Sequence, residues 1–297
     1  MAIGVVVALA VATFVLVGAG DDGSDRSDSG SAEDGAVVGV LHATRGIMAA
    51  TAQERDATVV MIIGQEELFA GAIVDLASTR AATDEAVAAF RDEVGSLTPA
   101  AVRRYGEVLV SIAGLVELRT EVDAQPGPRG LNQLGPVAVP LRERYSTLVA
   151  SVLDAHDTFP GSIGDLELRM GVELHALALR QQEARSHLVN LLLVGGLVPE
   201  PGEAFLPDLT AWADTYRRGR MQLAAAAAGT VHQPAADRLI AALDDDPIPA
   251  AADELIASGV VDVQAVLDAV TVEPDAMGWL DFATEVEDQL LPTAEAS

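Results

Sequence analysis

Residues 42–64, HATRGIMAATAQERDATVVMIIG, decide the fold because their apolar side chains recur at the spacing of a helix. Alternating steps of four and three residues define one helical stripe: Leu41, Arg45, Met48, Ala52, Arg55, Val59 and Ile62. Such a stripe normally faces a core, yet two of its positions are arginine. A guanidinium inside a helix bundle must be paired, solvated or bound to an anion, because burying it bare is costly.

The rest of the chain also favours an all-α protein. Half of the 297 residues are hydrophobic, but aromatic residues make up only 4%, and alanine, valine and leucine dominate. Long periodic segments alternate with breakers such as QPGPRG and LVPEPGEAF. Gly195 and Gly196 are predicted to cap the longest of these helices. The short connections predict antiparallel helix bundles over residues 36–291.

The charge balance limits the partners of the protein. There are 45 acidic and 18 basic residues, which gives a net charge of −27, and every basic residue is an arginine. A surface of this charge repels nucleic acid, so no nucleic-acid partner is predicted. Cysteine is absent, so disulfides and thiolate metal sites are excluded.

The N-terminal segment predicts attachment to a membrane. Residues 2–20, AIGVVVALAVATFVLVGAG, carry no charge and are long enough to cross a bilayer as a helix. A signal peptide cleaved near VGAG is the alternative, but its basic N-terminal region is missing, which favours an anchor over residues 1–20. Residues 21–35 are predicted to form a disordered acidic linker, and residues 292–297 a disordered tail. The bulk of the chain is therefore expected outside the cytoplasm.

Five segments, in order, resemble the motifs of the nitrate- and nitrite-sensing domain of bacterial receptors. They are TAQERDATVVMIIG (51–64), STRAATDEAVAAF (78–90), LVELRTEVD (115–123), YSTLVASVLD (145–154) and RQQEARSHLVNLLLVGG (180–196). Asp56 stands where the family usually has glycine, and Ala184 separates Glu183 from Arg185, which are adjacent in many relatives.

The resemblance implies two stacked four-helix bundles that bind nitrate or nitrite through arginines between helices. It also implies an extracytoplasmic domain coupled to a signalling module. No such module is recognisable in this chain. We therefore expect a truncated receptor, a subunit that signals through a partner such as a sensor histidine kinase, or a solitary binding protein. A homodimer is one possible assembly.

Five arginines are candidates for binding the anion. Arg55 carries the family match, and Arg185 interrupts a second apolar stripe, formed by Leu174, Ala178, Gln181, Leu188 and Leu192. Two planar guanidinium groups on neighbouring helices suit a planar trigonal anion. Arg217 and Arg220 are possible further donors, whereas Arg45 lies ~15 Å from Arg55 along the helix, too far to share one small ion.

The alternative is structural pairing, in which Glu54 or Glu183 neutralises these arginines. Asp56 adds to this alternative, because a carboxylate beside Arg55 would occupy its donors from within the protein. The result would be a helical interaction module that keeps the fold but has lost the anion. The binding hypothesis therefore requires that Arg55 is neither in bulk water nor already bound to an acidic side chain.

No catalytic constellation is present in the sequence. The five histidines are scattered, and no H-E-x-x-H, P-loop or G-x-S-x-G motif occurs. Glu183 and His187 are an i, i+4 pair and not the E-x-x-H of di-iron bundles. The sequence therefore predicts neither an enzyme nor a metal or cofactor site.

Overall fold

Helices account for nearly all of the described chain. The computed structural model describes residues 29–63, 76–97, 102–103, 105–125, 137–158, 166–197, 205–260, 262 and 279–296. The helices are α1 Ser29–Ile63, α2 Leu76–Ser96, α3 Gly106–Ala113, α4 Leu115–Asp123, α5 Val139–Thr158, α6 Leu166–Leu197, α7 Phe205–Ala227, α8 Gln233–Asp244, α9 Ile248–Ser258 and α10 Trp279–Ala296. These described residues contain no strand, which confirms the all-α prediction for them.

Neighbouring helices run antiparallel, as predicted. On α1 and α2, the hydroxyl of Thr83 donates to the carbonyl of Ala50, while Gly39, earlier in α1, lies against Glu93, later in α2. The same opposite order relates α1 to α10, α5 to α6, and α6 to α7.

The helices form two groups, which meet mainly where α1 packs on α10 and also where α6 packs on α5 and α1. In the first group α1 packs on α2 and α5, and α5 also packs on α3 and α4. In the second group α6 packs on α7, α9 and α10, and α8 packs on α7 and α10. The buried apolar side chains of both groups form one continuous core. The stacking of two four-helix bundles that the resemblance implies stays a prediction.

Both predicted disordered segments are partly helical. Helix α1 begins at Ser29 and α10 extends to Ala296, so the predictions are wrong for residues 29–35 and 292–296. Extending an existing helix adds one hydrogen bond for each residue ordered, without the cost of a new nucleus. The predicted anchor, residues 1–20, lies outside the described residues. None of the helices in the described part of the chain is long and apolar enough to cross a membrane.

Gly195, near the end of α6, allows close packing and does not cap the helix. Helix α6 continues to Leu197, and among the described residues only Gly229 and Gly259 have a positive φ. The prediction of a cap at Gly195 is therefore wrong. A Cβ atom at Gly195 would lie 2.5 Å from Phe205 and 2.7 Å from Leu255, so only glycine lets those side chains approach.

Candidate functional site

Arg55 lies on the predicted buried stripe of α1, and its side chain is fully buried. Its donors are already occupied by protein groups. Nη1 donates to Glu183 Oε1 at 2.7 Å and to the Ser146 hydroxyl at 3.1 Å, and Nη2 donates to the Ser186 hydroxyl at 2.5 Å. Nε donates to Asp56 Oδ1 at 3.3 Å.

The hypothesis of an unneutralised Arg55 is therefore wrong. Burial disfavours the charge of Arg55, but Glu183 and Asp56 outweigh that effect and raise the pKa of the guanidinium above its ordinary value. The structure instead has the structural pairing given above as the alternative, in which Glu183 neutralises Arg55. Asp56, which replaces the usual glycine of the family motif, occupies a further donor.

Arg185 does not face the same site as Arg55. Its Nε and Nη2 atoms hold the two carboxylate oxygens of Asp246 at 3.0 and 3.2 Å. Its guanidinium carbon also lies 5.9 Å from the centre of the Trp279 ring. Side chains two residues apart on a helix point about 200° apart. When Glu183 faces Arg55 on α1, Arg185 must therefore lie on nearly the opposite side of α6. The predicted meeting of Arg55 and Arg185 on one ion is wrong.

The other three candidates also have carboxylate partners. Arg217 pairs with Asp253 at 2.5 Å, and Arg220 pairs with Asp244. These two arginines line a cleft of about 280 Å³ that also contains the carboxylates of Asp244, Asp246 and Asp253. Arg45 donates to Glu287 at 2.9 Å and to the Thr284 hydroxyl at 3.0 Å, next to His42 on α1. The acidic neighbours make these places poor sites for an anion.

A sixth arginine, Arg142 on α5, has the properties expected of Arg55. Only 6% of its surface is exposed, and it forms no ion pair with a carboxylate of the described residues. Its Nε and Nη2 atoms are buried and have no hydrogen-bond partner in the described part of the chain. The remaining terminal nitrogen, Nη1, lies 3.4 Å from Nδ1 of His187. A buried cation with unused donors is rare and calls for an explanation.

His187 connects the two buried arginines. Its Nε2 atom lies 3.1 Å from Glu183 Oε1, while its Nδ1 atom faces Arg142. Since a carboxylate can only accept and a guanidinium can only donate, the proton of the ring belongs on Nε2 and Nδ1 accepts. The imidazole also stacks on the indole of Trp212 from α7, with centroids 3.8 Å apart and an interplanar angle of 4°.

The pKa values show the effect of two buried arginines and a histidine that surround the carboxylate of Glu183. Burial and the nearby charge of Arg55 lower the pKa of Arg142 to about 10, although Glu183 and Asp56 act in the opposite direction. Burial alone raises the pKa of Glu183, but Arg55, His187 and Arg142 bring it down to about 2. Burial also lowers the pKa of His187, which favours the neutral ring. At neutral pH, Arg142 is charged, and it forms no direct ion pair with a carboxylate of the described residues.

The remaining family motifs converge on another buried carboxylate, Glu54. Arg119 from LVELRTEVD holds both its oxygens, with Nε and Nη2 at 2.8 and 2.7 Å, and also donates to Asp84. The hydroxyl of Tyr145 from YSTLVASVLD donates to Glu54 at 2.9 Å, and Arg80 lies 3.8 Å from the same carboxylate. This network joins α1, α2, α4 and α5 around the Glu54 carboxylate, although Nε and Nη2 of Arg80 have no hydrogen-bond partner among the described residues.

Arg142 was not among the arginines predicted from the sequence, although its signal was available. Steps of four and three from Ala138, just before α5, give the stripe Ala138, Arg142, Tyr145, Val149, Val152 and His156, all of them buried. Arg142 interrupts this stripe as Arg55 interrupts that of α1. His187 had no comparable signal, because its role depends on Trp212, which comes from another helix.

In the described residues the protein is therefore an all-helical bundle with a buried arginine, Arg142, whose Nε and Nη2 atoms have no hydrogen-bond partner there. A family model for nitrate and nitrite sensing matches residues 47–295. Since the match covers most of the chain, the protein belongs to the nitrate- and nitrite-sensing domain family, as its motifs indicated. This is a family of sensor domains and not of enzymes. Comparisons with curated proteins and with solved structures found no match.

Proposed function

We propose that this domain binds nitrate or nitrite at Arg142, in the space between α1, α5 and α6. One observation carries the proposal. Arg119 and Arg185 each use the edge formed by Nε and Nη2 to hold the two oxygens of a carboxylate. Arg142 has the same edge buried and without a hydrogen-bond partner in the part of the chain that the structure describes.

The chemistry of that edge fits the proposed ligand. The two N–H groups of a guanidinium edge are parallel and coplanar, so they match two oxygens of one planar anion. Nitrate and nitrite both present such a pair of oxygens and carry one negative charge. That charge would neutralise Arg142, which has no direct ion pair with any carboxylate that the structure describes. In this proposal Arg55 and its carboxylate partners line the site, and Arg142 is the residue that binds the anion.

Three helices meet at this site, and this provides a route for a signal. Arg142 is on α5, its neighbour His187 on α6, and Arg55 on α1. An anion that relieves the repulsion between Arg142 and Arg55 draws α5 toward α1 and favours one packing of the bundle over another. We propose that the shift passes along α1 to the N-terminal anchor, with the domain outside the cytoplasm. A sensor histidine kinase or a second copy of the chain is the proposed receiver.

Titration of the full chain with nitrate and nitrite tests the proposal. Ionic strength is held constant with chloride, because any salt screens the repulsion within a protein of net charge −27. We expect heat of binding and a rise in Tm for nitrate or nitrite, and neither for chloride or sulfate. The variant Arg142→Met should lose both effects, and Arg144→Met, an exposed arginine on the same helix, should retain them.

The second candidate function is a helical interaction module without a ligand. The observation in its favour is that Glu183, Asp56, Ser146 and Ser186 fill the donors of Arg55, the arginine of the family motif. The absence of binding heat and of a Tm rise with nitrate and nitrite, in wild-type protein as in Arg142→Met, would support this candidate.

A further inference from the structure

His187 contacts Arg142 on the side of the guanidinium that the proposed anion does not use. The Nδ1 atom of His187 lies 3.4 Å from Nη1 of Arg142. The two donors without a hydrogen-bond partner among the described side chains are Nε and Nη2, and Nη1 lies across the guanidinium carbon from the edge that they form. A contact at Nη1 can therefore fix the direction of that edge without competing for it.

The imidazole of His187 is itself held by neighbours on two sides. Its Nε2 atom lies 3.1 Å from Oε1 of Glu183, and the same oxygen accepts from Nη1 of Arg55 at 2.7 Å. Because Glu183 can only accept, the ring proton belongs on Nε2, which leaves Nδ1 as an acceptor for Arg142. The indole of Trp212, stacked on the imidazole with centroids 3.8 Å apart, fixes the plane of the ring.

We propose that His187 is a positioning residue for the anion site, a neutral acceptor that holds Arg142 with its free edge presented to the anion and leaves its charge available. The inference rests on the proposed function, since it concerns the same site. A carboxylate in this place would orient Arg142 equally well but would also neutralise it, as Asp246 does for Arg185. An imidazole that is neutral orients the guanidinium and preserves the charge that attracts the ligand.

The contribution of His187 to affinity is expected to be moderate. Burial lowers the pKa of His187, so the ring is neutral at pH 7 and Nδ1 can accept. A side chain that is already oriented does not have to be ordered when the ligand binds. Loss of the contact should therefore weaken binding about three- to tenfold, the range set by the cost of immobilising one long side chain.

Calorimetric titration of three variants with nitrate and with nitrite at pH 7 tests the proposal. The oxygen of His187→Asn is bonded to the same side-chain carbon as Nδ1 and can accept from Nη1, so this variant should bind within about twofold of wild type. His187→Phe keeps a ring against Trp212 but has no acceptor, and should show the full three- to tenfold loss. His187→Asp adds a carboxylate beside Arg142 and should bind neither anion. The control His42→Asn, which changes a histidine whose side chain is 66% exposed, should bind as wild type.

The order of the variants separates positioning from packing. A histidine that only packs against Trp212 would be replaced better by phenylalanine than by asparagine, which is the reverse of the order expected here. Wild-type affinity in His187→Phe, binding by His187→Asn no tighter than by His187→Phe, or retained binding in His187→Asp overturns the inference and leaves the anion site standing. No binding of either anion by the wild type overturns both.

A measurement on the wild-type chain tests the same inference if a variant does not fold. The ¹⁵N NMR spectrum of histidine-labelled protein reports which ring nitrogen carries the proton, and contacts with the protons of Trp212 assign the signals of His187. In the empty protein at pH 7 we expect a neutral ring with its proton on Nε2. A proton on Nδ1, in the neutral or the charged ring, refutes the inference because Nδ1 could then not accept from Arg142.

Discussion

Replacing Arg142 by methionine should stabilise the empty protein. Methionine keeps an unbranched apolar chain that fills the space of the arginine stem, and it removes a cation and two N–H groups that have no partner among the described residues. Most substitutions of buried residues destabilise a protein, so a gain in stability is a stringent expectation.

The pKa of Arg142 gives the magnitude. It falls from 12.5 to about 10, a change of about 2.5 units. At pH 7 the guanidinium is charged in both the folded and the unfolded chain, so the whole shift counts against the folded state. At ~1.4 kcal/mol per unit this amounts to ~3 kcal/mol. The weak hydrogen bond to His187 at 3.4 Å offsets only a small part of it.

Urea unfolding followed by circular dichroism, in low salt without nitrate or nitrite, measures the effect. We expect the free energy of unfolding of Arg142→Met to rise by roughly 2–3 kcal/mol. The control Arg144→Met removes a side chain that is 41% exposed and pairs with Glu121, and should change stability by less than about 0.5 kcal/mol. A loss of stability in Arg142→Met that Arg144→Met does not share would refute the argument, since it would mean that the charge of Arg142 is compensated in the empty protein.

Three further predictions concern the core and its titratable groups. Gly195→Ala should lower Tm because its Cβ atom would clash with two side chains. The control Gly46→Ala, whose Cβ atom meets nothing within 4 Å, should add roughly 0.5–1 kcal/mol of stability. Equal effects of the two substitutions in thermal unfolding would contradict this prediction. Burial lowers the pKa of His156 well below 6.5. Below pH 6.5 this histidine therefore stays neutral in the folded protein, while in the unfolded chain it takes up a proton. The free energy of unfolding should fall there by up to about 1.4 kcal/mol per pH unit because of this group. His156→Leu should make that fall shallower, and an unchanged slope would exclude His156 as its source. The pKa of Glu183 is depressed from 4.5 to about 2, so its contribution is fully present above pH 4.5 and is lost as the pH falls toward 2. The stability difference between wild type and Glu183→Gln should be constant above pH 5 and shrink below 4.5; a difference that stays constant in acid urea titrations would rule this out.

Helical periodicity was enough to predict much of the fold. The stripe that runs from Leu41 to Ile62 lies buried or half-buried in α1, and the predicted helix type holds throughout the described residues. The ends of helices were predicted less well, as Ser29 and Gly195 show. A composition typical of linkers does not prevent a helix from growing once its neighbouring turns are packed, and a glycine serves close packing as readily as a cap.

The sequence predicted a buried arginine on the seam of a bundle but did not single out Arg142, the arginine of the proposed site. A buried arginine on the seam of a bundle was expected, and Arg55 is one. The sequence alone could also have predicted that Glu183 and Arg185 do not share a site, because residues two apart lie on different faces of α6. Identifying Arg142 required knowing that its facing helices bring no carboxylate to its Nε and Nη2 atoms, and no property of α5 alone contains that information.

The sequence by itself determined which side chains are buried, because burial follows the phase of each helix and that phase can be counted along the chain. Only the tertiary structure decided which buried charge is neutralised. The energy of a charge depends on groups within a few ångströms, and at this site those groups come from α1, α5 and α6, far apart in the chain. The packing of these helices therefore sets Arg55 against Glu183. It leaves Nε and Nη2 of Arg142 without a hydrogen-bond partner among the described residues, which is where we propose that the anion binds.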